Sequence, residues 1–83
     1  MLGGMERPQH HAWVITKSAR YYQVHLDRDL FGDWTLLKVW GGIDSNQGRT
    51  HHPGVSSYED GLGQVHEITR RRAQRGYHAM RTD

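Results

Sequence analysis

The sequence contains no cysteine, two prolines and a single phenylalanine. Without thiols there is neither a disulfide nor a thiolate-metal staple, so the fold has to be held by aliphatic and aromatic side chains, and a reducing compartment suits it. No apolar run approaches the ~20 residues that span a bilayer. The opening Met1-Leu2-Gly3-Gly4-Met5-Glu6-Arg7-Pro8 lacks the charged-then-apolar layout of a signal peptide. A soluble cytoplasmic protein with no membrane partner is therefore expected. Phosphate-cradling loops need Gly-Lys-Ser/Thr, which is missing. Ser45, Ser56 and Ser57 have no strand-turn-helix elbow around them. A chain of 83 residues also has little room for a closed pocket. A non-catalytic chain without a cofactor follows from these absences.

What is present fits one compact domain with one core. Residues 1–11, with Gly3-Gly4, Pro8 and Gln9-His10-His11, show no periodicity and are expected to be a disordered lead-in to a domain over 12–77. Trp13-Val14-Ile15 can make a short strand. Residues 21–27 alternate, with Tyr22, Val24 and Leu26 on one face and Tyr21, Gln23 and His25 on the other, as a half-buried strand requires. Asp27 to Asp33, with Gly32, is a hairpin connection. Trp34-Thr35-Leu36-Leu37-Lys38-Val39-Trp40 is the next strand, apolar on both faces, so its inward side stays open. Gly41-Gly42 and Asp44-Ser45-Asn46-Gln47-Gly48 are turn chemistry, followed by a weak strand over 49–52.

After Val55 the period becomes helical. Ser56 and Glu59 have capping-box spacing, and Tyr58, Leu62, Val65, Ile68 and Arg72 follow along one stripe, predicting a helix over about 57–75. Gly61 and Gly63 each cost this helix roughly 1 kcal/mol relative to alanine. Gly76 suits the position just past the helix end, with Tyr77 folding back on it. Residues 78–83 are expected to fray as a basic tail. The predicted class is α+β, a small antiparallel sheet packed by one C-terminal helix, with Tyr22, Val24, Leu26, Leu36, Leu62, Val65 and Ile68 as its core.

The chain carries 11 Lys and Arg against 9 Asp and Glu, for a net charge of +2. Charge is unevenly spread. Arg70, Arg71, Arg72, Arg75 and Arg81 crowd the last residues against Asp83 alone, leaving the remainder net negative. Such a basic end suits phosphate, although a solvated helix face gives the same pattern. Seven histidines raise the question of metal, but His10-His11 and His51-His52 are adjacent pairs, His25 lies on the outer face of its strand, and no cysteine completes a zinc set. Asp27-Arg28-Asp29 opens like a calcium loop and fails at Phe31 and Lys38. No metal site is expected.

Several short motifs then occur in a recognisable order. Arg20-Tyr21-Tyr22-Gln23-Val24, the hairpin Leu30-Phe31-Gly32-Asp33-Trp34, Trp40-Gly41 at a strand end and Arg75-Gly76-Tyr77 after a helix together resemble a bacterial WGR domain over residues 19–77. The resemblance implies an antiparallel sheet crossed by one helix and a nucleic-acid-binding role, as in the poly(ADP-ribose) polymerases, where the module grips DNA ends. It implies for Trp40, with Gly41, a packing contact to sugar or base. The family triplet Trp-Gly-Arg is here Trp40-Gly41-Gly42, so the arginine is absent. Arg49 and a face formed by Arg71 and Arg75 are the expected phosphate contacts in its place. A tryptophan can equally be core, and a sheet surface of this kind can equally dock a protein partner or a second copy.

Overall fold

The computed structural model describes residues 6–43 and 48–80. The turn residues Asp44 to Gln47, the first five residues and Arg81 to Asp83 lie outside them. Five strands and one helix follow in the order β1 (Gln9–Ile15), β2 (Arg20–Arg28), β3 (Trp34–Gly42), β4 (Gly48–His51), α1 (Tyr58–Gln74) and β5 (His78–Ala79). The strands form one antiparallel sheet ordered β4-β3-β2-β1-β5. The α+β class is as the sequence predicts. Two boundaries are corrected. β1 begins at Gln9, inside the expected lead-in, because Gln9 to Ile15 pair with Leu26 to Arg20. Of the tail expected to fray, residues 78–80 are tied to the sheet, with Ala79 opposite Trp13 and the Met80 N–H donating to the Ala12 carbonyl at 2.8 Å, and residues 81–83 lie outside the described residues.

The β2–β3 hairpin sets the register of the sheet. Asp29 Oδ1 accepts from the N–H groups of Phe31 (2.8 Å) and Asp33 (2.9 Å), and the Asp29 N–H donates to the Asp33 carbonyl (2.8 Å). Gly32 takes a φ of +84, open to glycine without steric cost. With the turn fixed, Leu26 falls opposite Leu36, Val24 opposite Lys38 and Tyr22 opposite Trp40. Directly opposed residues share a face, so the Trp34/Leu36/Lys38/Trp40 side of β3 joins the Tyr22/Val24/Leu26 side of β2, and this is the side that α1 covers.

The buried core is Trp13, Val24, Leu26, Leu36, Val65 and Ile68. Each such side chain contributes roughly 1.5–3 kcal/mol on leaving water. Tyr22 and Leu62, expected in this core, pack against its rim half-buried, and Trp13 takes an inner place. Gly61 permits the close approach of α1, since a Cβ there would lie 2.5 Å from Leu26 Cδ1. Among the described residues no element lies across the opposite face, which carries Ala12, Val14, Tyr21, His25, Leu37 and Val39, all half-buried.

Both helix ends are closed by side chains and turns. The cap is Ser57 rather than Ser56: its Oγ accepts the Asp60 N–H at 3.1 Å, and the Asp60 carboxylate accepts the Ser56 N–H at 3.0 Å. At the other end the Tyr77 N–H donates to the Arg72 carbonyl (2.9 Å) and the Gly76 N–H to the Ala73 carbonyl (3.2 Å), with Gly76 at a φ of +86. This is a Schellman closure, in which the residue after the glycine is brought over the last turn.

Candidate functional site

That closure builds one wall of a cleft. Tyr77 is returned over Arg72, whose guanidinium carbon sits 4.3 Å from the Tyr22 ring centre and 5.0 Å from that of Tyr77. Tyr22 projects from β2 and stacks on its cross-strand neighbour Trp40, with centroids 5.9 Å apart and planes within 14°. Arg20, two residues before Tyr22 on the same face, and Arg75, the cap residue just past α1, complete the ring of cations. The cleft measures about 580 Å³, with Ile15 and Ser18 at its margin. Among the described residues its lining holds three arginines, three aromatic rings and no carboxylate.

The electrostatics favour an anion. The C-terminus of a helix carries roughly −0.5 of a charge, which by itself repels anions, but the Schellman bonds occupy the last carbonyls and three guanidinium groups outweigh the residue. Arg72 Nε is buried and has no hydrogen-bond partner among the described residues, although a buried donor ordinarily has one. Burial pushes the Tyr22 phenol above its ordinary range, and the Arg72 charge partly offsets this. Cation–π contacts of this kind are worth about 0.5–2 kcal/mol each, depending on how dry they are. Arg72, the last residue of the helix's apolar stripe, thus has its guanidinium over both the Tyr22 and Tyr77 rings.

The residues expected from sequence to act together are divided by the structure. Trp40 and Arg75 line the cleft. Gly41 sits beside Trp40 on β3, opposite Tyr21 and Gly48. Arg49 is opposite Trp40 on the edge strand β4, exposed on the same face and outside the cleft lining. Arg71 does not share a working face with Arg75. It borders a separate depression with Lys38, Gln64, Glu67 and Ile68, and its Nε donates to the Glu67 carboxylate at 3.2 Å. Hydrogen bonds from Arg70 and Arg71 hold the Glu67 carboxyl below its usual range.

Arg20, Tyr22, Arg72 and Tyr77 were not singled out as site residues from sequence. Arg20 matters most among them, because it lies directly opposite Gly42. Arg20 on β2 therefore stands across the ladder from position 42 on β3. Gly42 itself is not among the glycines with positive φ.

No protein-family model matches the chain, and no solved structure matches it. The chain is 38% identical over 60 residues to the uncharacterized protein y4dW of Sinorhizobium fredii (strain NBRC 101917 / NGR234), a match covering 71% of this chain and 28% of that protein. It thus spans less than a third of the relative's length. Among the described residues no helix is long and apolar enough to cross a membrane.

Proposed function

We propose that this chain is a WGR-like, non-catalytic nucleic-acid-binding module, and that DNA is gripped at the cleft between the end of the sheet and the end of α1. The observation that carries this reading is the convergence of Arg20, Arg72 and Arg75 with the rings of Tyr22, Trp40 and Tyr77. Guanidinium groups offer forked donors that match phosphate. An aromatic platform accepts a base or sugar of any sequence, at about 1–3 kcal/mol per stacked base. On this reading recognition rests on backbone and stacking contacts rather than on base edges. Arg20 takes the place of the arginine that the resemblance leads one to expect at position 42.

Fluorescence anisotropy with blunt and nicked duplexes at two salt concentrations tests the reading. The logarithm of affinity should fall with the logarithm of salt by about 0.9 per neutralised phosphate. Arg20→Ala and Arg75→Ala should each lower that slope by about one. Arg49→Ala should do less, and Arg71→Ala, whose partner is Glu67, should do nothing. Absence of binding at low salt rejects the proposal.

A protein-docking role is the second reading, and a separate feature favours it. Leu30 and Phe31 at the hairpin tip are 100% and 89% exposed, on a turn fixed by Asp29. Docking through such apolar side chains would barely respond to salt, which separates the two readings in the same titration.

A further inference from the structure

The uncovered face of the sheet carries a second cluster, unrelated to the cleft. His10 on β1 lies directly opposite His25 on β2, and Asp27, two residues further along β2, points to the same side. His10 Nε2 and Asp27 Oδ1 are 2.7 Å apart, and the two imidazole rings are centred 4.9 Å apart. One donor atom from each residue falls within 4.8 Å of the others. We propose that His10, His25 and Asp27 form a binding site for a first-row divalent cation, with Zn²⁺ as its natural probe.

The donor set argues for that class of ion. Two imidazoles and a carboxylate suit zinc, copper or nickel, while calcium and magnesium favour oxygen donors throughout. A metal bound at ~2.0–2.2 Å to each donor needs the donors roughly 3–3.5 Å apart. His10 Nε2 and Asp27 Oδ1, hydrogen-bonded at 2.7 Å, need to open by only about a few tenths of an ångström to admit the ion, and the half-buried His25 donor, within 4.8 Å of both, reaches it by a side-chain rotation. Gln23 Oε1 lies 3.4 Å from His25 Nε2. In the tautomer protonated there, His25 donates to Gln23 and keeps the Nδ1 lone pair for the cation, which is how outer groups usually orient a metal-binding histidine. Three protein donors leave positions for water, so the site is open to exchange. The sequence conceals it because His10 and His25 are 15 positions apart and meet only through strand pairing.

Binding would clamp β1 to β2 and should raise the melting temperature as Zn²⁺ is added. Calorimetric titration of untagged protein should show one saturable equivalent. His25→Ala and Asp27→Asn should each weaken it by at least about tenfold, the scale on which even outer-shell changes act. Both positions lie on the uncovered face, and circular dichroism of each variant checks that the fold persists. Co²⁺ bound in the same place should give visible absorption that the variants lose. The proposal is overturned if no saturable uptake occurs, or if uptake is unchanged in the His25→Ala/Asp27→Asn double variant. It is equally overturned if uptake is instead abolished by His51→Ala and His52→Ala.

Discussion

At the scale of single residues, identity matters less than what each group is placed against. His11 stacks on Trp13, at 5.9 Å and 15° between planes, and shares a hydrogen bond of 3.2 Å with Gln9. Burial, helped by the nearby His10 and His66, lowers its pKa below the ordinary 6.5. The folded chain therefore takes up this proton less readily than the unfolded chain, so the unfolded state binds more protons as pH falls. The sign follows: this contribution is fully present above about pH 6.5 and is lost as pH drops toward the depressed folded value. Thermal melts should show stability falling with acidity through that window, and His11→Gln should flatten the fall. An unchanged slope in the variant would assign the effect to another group. An arginine placed at position 42 follows the same logic: Gly42→Arg would stand across from Arg20 beside the cleft, and it should strengthen DNA binding if that cleft is the contact surface.

At the scale of elements, two helical glycines that look alike in the sequence have opposite meanings. Gly61 faces fully buried Leu26, and Gly63 has open space around it. Gly61→Ala should destabilise by ~1–3 kcal/mol, since neither the helix backbone nor a packed Leu26 can move aside freely. Gly63→Ala should stabilise by ~0.5–1 kcal/mol through helix propensity alone. Denaturant midpoints for the pair check this, and equal effects would show that α1 sits further from the sheet. Periodicity was enough to find β2, β3 and α1, because each is long and patterned. Of β1 the sequence offered only Trp13-Val14-Ile15, because the histidines and glutamine before them hide the rest of a paired strand, and it offered nothing of β5, which exists only because β1 gives it an edge. The cleft was half legible. Gly76-Tyr77 announces a Schellman turn, and that motif brings the following residue over Arg72, so the Arg72–Tyr77 contact was within reach of sequence reasoning. The pairing of Arg20 with position 42 was not, because it depends on the register that Asp29 fixes in the hairpin.

At the scale of the whole molecule, the cleft and the hairpin tip mark opposite ends of the sheet. β2 runs from Arg20 at one to Arg28 at the other, roughly 26 Å at ~3.3 Å per residue, so changes at the two ends should add independently. Replacing Leu30 and Phe31 together with serine should leave the unfolding free energy within about 0.5 kcal/mol and leave DNA affinity as it was. If affinity falls instead, the tip belongs to the nucleic-acid surface. The antiparallel placement of β5 beside β1 has one more consequence, for how the module can be wired to other things. β1 enters at Gln9, opposite Leu26, and β5 delivers the chain past Ala12 toward that same end. Entry and exit therefore lie close together on the side away from Arg20 and Trp40. A reporter, a surface anchor or a neighbouring polypeptide attached at either point leaves the cleft mouth unobstructed, and the segment can be spliced into a host loop with its cleft facing outward.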